Sequence, residues 1–238
     1  MLFGNLLGAA AAGLAAGVLV NYLADVLPIT RRLSRPAWWP PGQGQAYFHS
    51  GRVWLVQLFF VLAAMLLYRY PPAIFSALGL FLIGAYFALV TVIDLEHRAI
   101  LHSVSLFGAL AFGAWGLLRL GWLSTLLGGA AGFAIMLGLY YLGDLLGLWL
   151  ARRRNEEWEE VALGFGDVNL AGVIGLLLGW PSVLAGMVLA FLLGGLFSLG
   201  HILIQLVRGR YSAFAAVAYG PFLALGAVGL LLLRAYLN

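Results

Sequence analysis

The sequence predicts an all-α protein, a polytopic membrane bundle of about eight transmembrane helices, and three observations carry that prediction. Of its 238 residues, 63% are hydrophobic and only 9% are charged, against ~45–50% and ~25% in an ordinary soluble domain. The mean hydropathy is +1.00. The apolar residues come in long runs rather than amphipathic stripes, and a helix needs ~20 of them to cross ~30 Å of hydrocarbon.

Taken in order, the spans fall near residues 6–27, 53–68, 73–93, 103–120, 123–150, 163–180, 182–207 and 214–235. The first is not read as a cleavable signal peptide: its first basic residue follows the apolar run, which is too long for an h-region. The second is short, and Pro71-Pro72 separates it from the third. Residues 168–207 as one helix would be ~60 Å long at ~1.5 Å per residue, twice the membrane. Gly179-Trp180-Pro181 is therefore read as a turn. No internal repeat or soluble domain stands out, so residues 1–238 are read as a single transmembrane domain.

The arginines orient the bundle. All 13 basic residues are arginine, and no lysine is present. With eight spans and both termini outside, the inward loops hold Arg31, Arg32, Arg35, Arg52, Arg98, Arg152, Arg153, Arg154, Arg208 and Arg210. The outward side holds Arg69, Arg119 and Arg234. This asymmetry is the one that the positive-inside rule expects, and merging any two spans would invert every later loop. Nucleic-acid binding is disfavoured despite the net charge of +4, because the arginines are spread over loops rather than one face. The absence of cysteine excludes disulfides, cysteine nucleophiles and thiolate zinc sites. Two inward loops are long, 28–52 and 151–162; the second runs from Arg152-Arg153-Arg154 to Glu156, Glu157, Glu159 and Glu160 and is read as a solvated charge block.

With so few charges, each acid near a span is informative, because an unpaired carboxylate in a bilayer is expensive. Asp25, Asp94, Asp144 and Asp167 all fall in the inward half of this topology. A carboxylate at a helix end can also snorkel to the interface at little cost, so position alone does not make a site. Two neighbourhoods go further. Thr91-Val92-Ile93-Asp94-Leu95-Glu96-His97-Arg98 is a polar run that follows an apolar span without a turn residue. Gly164-Phe165-Gly166-Asp167 flanks an acid with glycines, which permit unusual backbone angles or close approach of a neighbouring chain. Two carboxylates held close share a proton, so one can activate a water while the other donates to the scissile carbonyl oxygen. That chemistry needs no cysteine, metal or cofactor. His97 and His102, five residues apart, lack the spacing of a helical metal pair, and no metal is expected.

These residues resemble the prepilin peptidase family, type IV leader peptidases that are membrane aspartic proteases of the G-x-G-D kind. The resemblance covers nearly the whole chain. Gly17-Val-Leu-Val-Asn21 followed by Leu27-Pro28 is similar to the family's first span, and Leu55-Val56-Gln57-Leu58 to its L-V-E-L segment. Ile93-Asp94-Leu95-Glu96 matches the first aspartate motif and Gly164-Phe165-Gly166-Asp167-Val168-Asn169-Leu170 the second. Tyr219-Gly220-Pro221-Phe222-Leu223-Ala224-Leu225-Gly226 is similar to F-G-P-F-L-A-L-G in the last span. The resemblance implies a bacterial inner-membrane endopeptidase. It would remove the short basic leader of type IV prepilins or pseudopilins at the cytoplasmic face, with Asp94 and Asp167 as catalytic dyad. Glu96, Gly164, Gly166, Asn169, Gly220 and Pro221 would bind substrate or shape the site.

The chain departs from the family's pattern at several places. Leu101-His102 stands where Pro-Asp is usual, Asn169 where lysine is usual, and Gln57 where glutamate is usual. The cysteine-rich zinc-binding insert of many members is absent from loop 28–52, so no zinc is expected, and S-adenosylmethionine enters only if N-methylation is retained. Separately, Ser34-Arg35-Pro36-Ala37-Trp38-Trp39-Pro40-Pro41-Gly42 is similar to the K-P-x-W-x-P-P loop of a tryptophan-rich translocator family that binds porphyrins; an interfacial aromatic anchor is the simpler reading. The expected partners are prepilin-like leaders and the lipid bilayer, with no nucleic acid. A non-catalytic pilin-binding assembly factor and a small-molecule binder or transporter are the alternatives; a transporter should show repeat symmetry or paired broken helices, and the sequence has neither.

Overall fold

The computed structural model describes residues 2–30, 50–72, 75–154, 163–208 and 218–237. Among these every regular element is an α-helix, eight in all. They are α1 (Leu2–Thr30), α2 (Gly51–Arg69), α3 (Ala77–His97), α4 (His102–Leu120), α5 (Trp122–Arg154), α6 (Phe165–Leu178), α7 (Ser182–Val207) and α8 (Gly220–Leu237). The all-α membrane architecture read from composition is therefore the observed one. Seven of the helices are long and apolar enough to cross a membrane; α6 is not. Its 14 residues give ~21 Å at ~1.5 Å per residue, short of ~30 Å of hydrocarbon. The loop 34–42, His49 and the four glutamates at 156–160 lie outside the described residues.

The contacts divide the chain into two compact units, residues 1–97 with 232–238, and residues 98–231. In the first unit, α1 lies against α2 along one stripe of α1 spaced four residues apart. A side chain at Gly13 would strike the Phe60 carbonyl oxygen at 2.5 Å and Val61 Cα at 2.7 Å. One turn on, Gly17 faces Gln57, whose amide, turned to suit both, donates to Leu14 O at 3.2 Å and accepts from Val18 N at 2.9 Å. Another turn on, fully buried Asn21 donates from Nδ2 to Val53 O at 3.3 Å. Small residues that let backbones approach, with a few polar ties, are how helices associate in lipid, where apolar burial alone does not drive them together. Phe60, 1% exposed, forms the centre of this unit and meets Phe81 of α3 edge-on at 5.8 Å. Tyr236, in the last turn of α8, donates its hydroxyl to Tyr70 O at 2.7 Å.

Two boundaries in this unit differ from the sequence reading. Helix α1 continues through Pro28 to Thr30, because a proline one turn from a helix end forfeits a single backbone hydrogen bond. Helix α3 runs to His97 and so carries Asp94 and Glu96 within it. It stops where Arg98 takes φ 48°, the left-handed conformation that commonly follows a helix C-terminus.

In the second unit α6 is the buried centre. It is apolar on all faces, as a helix surrounded by protein must be, and Val168, Leu170, Ala171, Ile174 and Leu178 are each 2% exposed or less. Helix α5 crosses it backbone to backbone, with Gly128 on Gly175 and Gly132 on Ala171. Gly116 of α4 rests on the Leu176 carbonyl. The turn read at 179–181 is present: Gly179 has φ 68°, and Trp180 N–H donates to Ser124 O at 2.9 Å while Ser124 Oγ donates to Trp180 O at 2.9 Å. Helices α7 and α8 approach where Gly226 meets Gly186 O and Ala190. Exposed leucines and aromatics such as Leu196, Leu203 and Phe197 line α7, the side chains expected against lipid.

Candidate active site

Among the described residues only two acidic side chains are buried, Asp94 at 5% exposure and Asp167 at 7%. They are the two that the sequence motifs single out. Asp94 sits one turn before the end of α3, beside buried Val90 and Ile93. Asp167 sits in the first turn of α6, following Gly164 as N-cap. Its Oδ2 accepts the Gly164 N–H at 3.2 Å, and its own N–H donates to Gly164 O at 3.0 Å. A carboxylate at N3 that reaches back to the cap satisfies an orphan donor of the helix N-terminus.

The two glycines before Asp167 differ in role. Neither has a positive φ; among the described glycines only Gly121 and Gly179 do. The unusual backbone angle that the motif allows is therefore not what it uses. Gly166 is needed for close approach: a Cβ there would lie 2.8 Å from Ile100 Cβ and 3.2 Å from Ile100 O. At Gly164 the nearest atom would be Asp167 Oδ2 at 3.5 Å, an ordinary contact. The residue between them, Phe165, meets Phe133 at 6.5 Å and Tyr140 at 6.0 Å, both edge-on, and so packs the start of α6 on α5.

A groove of about 460 Å³ opens between α4, α5 and α6. Its walls are apolar, including Leu106, Phe133 and Leu176, and its polar lining is His102, Ser105 and Asn169. Ser105 Oγ is buried with no hydrogen-bond partner among the described residues. Asn169 and His102, two of the positions where the chain departs from the resembled pattern, thus face one groove. At the start of α8, Gly220 and Pro221 are buried, with Tyr219 O accepting from Phe222 N–H and Leu223 N–H. Tyr219 packs against Phe191 and Phe222. Burial first, and the Asp167 carboxylate second, push its phenol up to about 12.

Glu96, expected to bind substrate or shape the site, forms an ion pair. It is exposed at the end of α3 and pairs with Arg52, whose Nη1 donates to Glu96 Oε2 at 2.8 Å and whose Nη2 donates to Asp25 Oδ1 at 2.7 Å. The sequence reading counted Arg52 only as an inward loop charge and gave Asp25 no partner. The spacing Gly13, Gly17, Asn21, Asp25 was the available signal, since residues four apart share one helix face. Asp144 is half-buried on α5. Among the described residues no three His, Asp or Glu side chains converge as a metal site would require.

A sequence model of the type IV leader peptidase family matches residues 80–199, from the first turn of α3 to the last third of α7. That stretch contains Asp94, Glu96, Gly164, Gly166, Asp167 and Asn169, whereas Gly220 and Pro221 lie beyond it. The chain is also similar to two proteins named prepilin leader peptidase/N-methyltransferase, one from Aeromonas salmonicida strain A449 and one from Aeromonas salmonicida. Each is 26% identical over 180 residues, which are 74% of this chain and 56% of the relative. The chain thus spans little more than half the length of these relatives. No solved structure gives a significant match. With the family match covering half of its length, the chain belongs to the type IV leader peptidase family.

Proposed function

We propose that this chain is a membrane aspartic endopeptidase that removes the basic N-terminal leader of type IV prepilins or pseudopilins, acting as one transmembrane peptidase domain. The observation that carries the reading is the burial of Asp94 and Asp167 alone among the described acids, in a family of leader peptidases. Burying a carboxylate is costly, so two of them kept away from solvent in a nine-acid chain call for a use.

In this reading Asp167 takes a proton from water as the water oxygen bonds to the scissile carbonyl carbon. Asp94 carries the shared proton and donates it to the carbonyl oxygen. Collapse of the tetrahedral intermediate breaks the C–N bond. Asp167 delivers its new proton to the leaving amine, and Asp94 recovers its own from the intermediate. The steps require no metal and no cofactor. A cysteine-free chain cannot build a thiolate zinc site, and S-adenosylmethionine enters only if N-methylation of the new N-terminus is retained. The arginine asymmetry up to the end of α5, which does not depend on whether α6 crosses, supports an inner-membrane protein with the N-terminus outside and the dyad at the cytoplasmic face.

The test is cleavage of a prepilin substrate by purified protein in detergent or liposomes. Wild type should cleave; Asp94→Asn and Asp167→Asn should each abolish cleavage while retaining the elution profile of the folded protein. The rate should follow a bell-shaped pH profile, one limb for each protonation state. Cleavage that persists in either variant overturns the dyad, and an inactive wild type overturns the reading.

A further inference from the structure

Arg52 ties together three helices of the first unit. It is the second residue of α2, its side chain is 18% exposed, and its planar guanidinium holds Asp25 of α1 through Nη2 at 2.7 Å and Glu96 of α3 through Nη1 at 2.8 Å. As a stabilising device it is poor. One cation serves two anions, and Arg52 Nε and Asp25 Oδ2 are buried without a hydrogen-bond partner among the described residues. Partly buried ion pairs forfeit much of their Coulomb energy to desolvation. What such a pair supplies is geometry, because a rigid fork of donors fixes carboxylates more tightly than a point charge does.

The rest of the unit shows which part needs fixing. Helix α2 is already registered on α1 by the Asn21 tie to Val53 O in its first turn and by the Gly17 and Gly13 contacts with Gln57 and Phe60 further along. On the last turn of α3, Leu95, Glu96 and His97 are all exposed, the helix ends at once in a left-handed Arg98, and the Arg52–Glu96 pair ties this exposed end to α2. Asp94, itself buried, is two residues before Glu96 in the same turn. We infer that Arg52 is a positioning residue: by holding Glu96 against the α1–α2 pair it sets where the end of α3 places the Asp94 carboxylate. The role in cleavage rests on the function proposed above; the mechanical role does not.

Two readouts keep the inferences separate. The chain has no cysteine, so spin labels can be attached to Leu55→Cys on α2 and Leu95→Cys on α3, positions 69% and 62% exposed. The distance distribution between them should be narrow with Arg52 present and broad with Arg52→Gln. In the cleavage assay Arg52→Gln should lower kcat about 10- to 100-fold, the scale on which a misplaced catalytic group costs rate, with KM changed less than about threefold. Arg52→Lys, which keeps the charge and loses the fork, should fall between. The triple variant Arg52→Gln with Asp25→Asn and Glu96→Gln removes the uncompensated charges; it should regain thermal stability without regaining kcat. An unchanged label distribution in Arg52→Gln, or full activity in the triple variant, overturns the inference. If wild type itself fails to cleave, the proposed function falls while the label distances still decide the role of Arg52.

Discussion

Adding one methyl group at Gly166 should damage this protein far more than adding one at Gly164, although the two glycines flank the same phenylalanine. At Gly166 the new carbon would lie 2.8 Å from Ile100 Cβ and 3.2–3.3 Å from the Ile100 backbone oxygen and nitrogen. Carbon pairs rest at ~3.5–4.0 Å, so either the link at residues 98–101 or the first turn of α6 must move by nearly an ångström. Forcing a methylene into a packed site costs typically ~1–3 kcal/mol. At Gly164 the nearest atom would be Asp167 Oδ2 at 3.5 Å, and its φ of −75° suits any residue, so the change should stay within ~0.5 kcal/mol. For a chain of this size ~1 kcal/mol moves the midpoint by ~2–4 °C. The apparent Tm of Gly166→Ala in detergent should therefore lie roughly 2–12 °C below that of Gly164→Ala. Because Asp167 is the next residue, leader cleavage by Gly166→Ala should fall as well, by about 10- to 100-fold. Equal Tm values for the two variants, or a larger loss at Gly164, would refute the close-approach explanation of the motif.

Other consequences are testable in the same preparations. Gly128→Ala places a side chain against the Gly175 carbonyl and should lower stability by about 1–3 kcal/mol, whereas Gly138→Ala, with nothing within 4 Å, should be neutral in thermal melts. Tyr219 has its phenol raised from 10.0 to about 12. The folded state thus holds this proton more tightly, so its contribution is complete below pH 10 and is lost as pH rises through about 12. Tyr219→Phe should flatten the alkaline fall in stability over that window, measured as apparent Tm against pH; an unchanged slope would show that Tyr219 does not titrate with folding.

The fold was legible because lipid imposes simple demands. Long apolar runs broken at Pro71-Pro72 and Gly179-Trp180-Pro181 leave little choice but helices, and the helix ends fall within a few residues of the predicted ones. The sequence did not reveal that α6 is too short to span: its apolar composition suits lipid and protein surroundings equally, and only the α4 and α5 backbones packed on it tell the two apart. At the site, Asp94 and Asp167 were legible as isolated acids in motif contexts, and both are buried. The role of Gly166 was half legible. Glycine announces either a special φ or a close neighbour, and sequence alone does not say which. Arg52 was hidden because its partners come from residues 27 and 44 positions away, while local composition made it one more loop arginine. The groove uniting His102, Ser105 and Asn169 was hidden for the same reason, since it depends on how α4 and α6 lie against each other.

The central claim is that the two buried aspartates act on one water. In this cysteine-free chain, Asp94→Cys and Asp167→Cys can be combined and treated with a short bifunctional thiol reagent in the membrane. The account predicts rapid intramolecular cross-linking that removes both thiols from later labelling. Two thiols that each label freely but never link would contradict it.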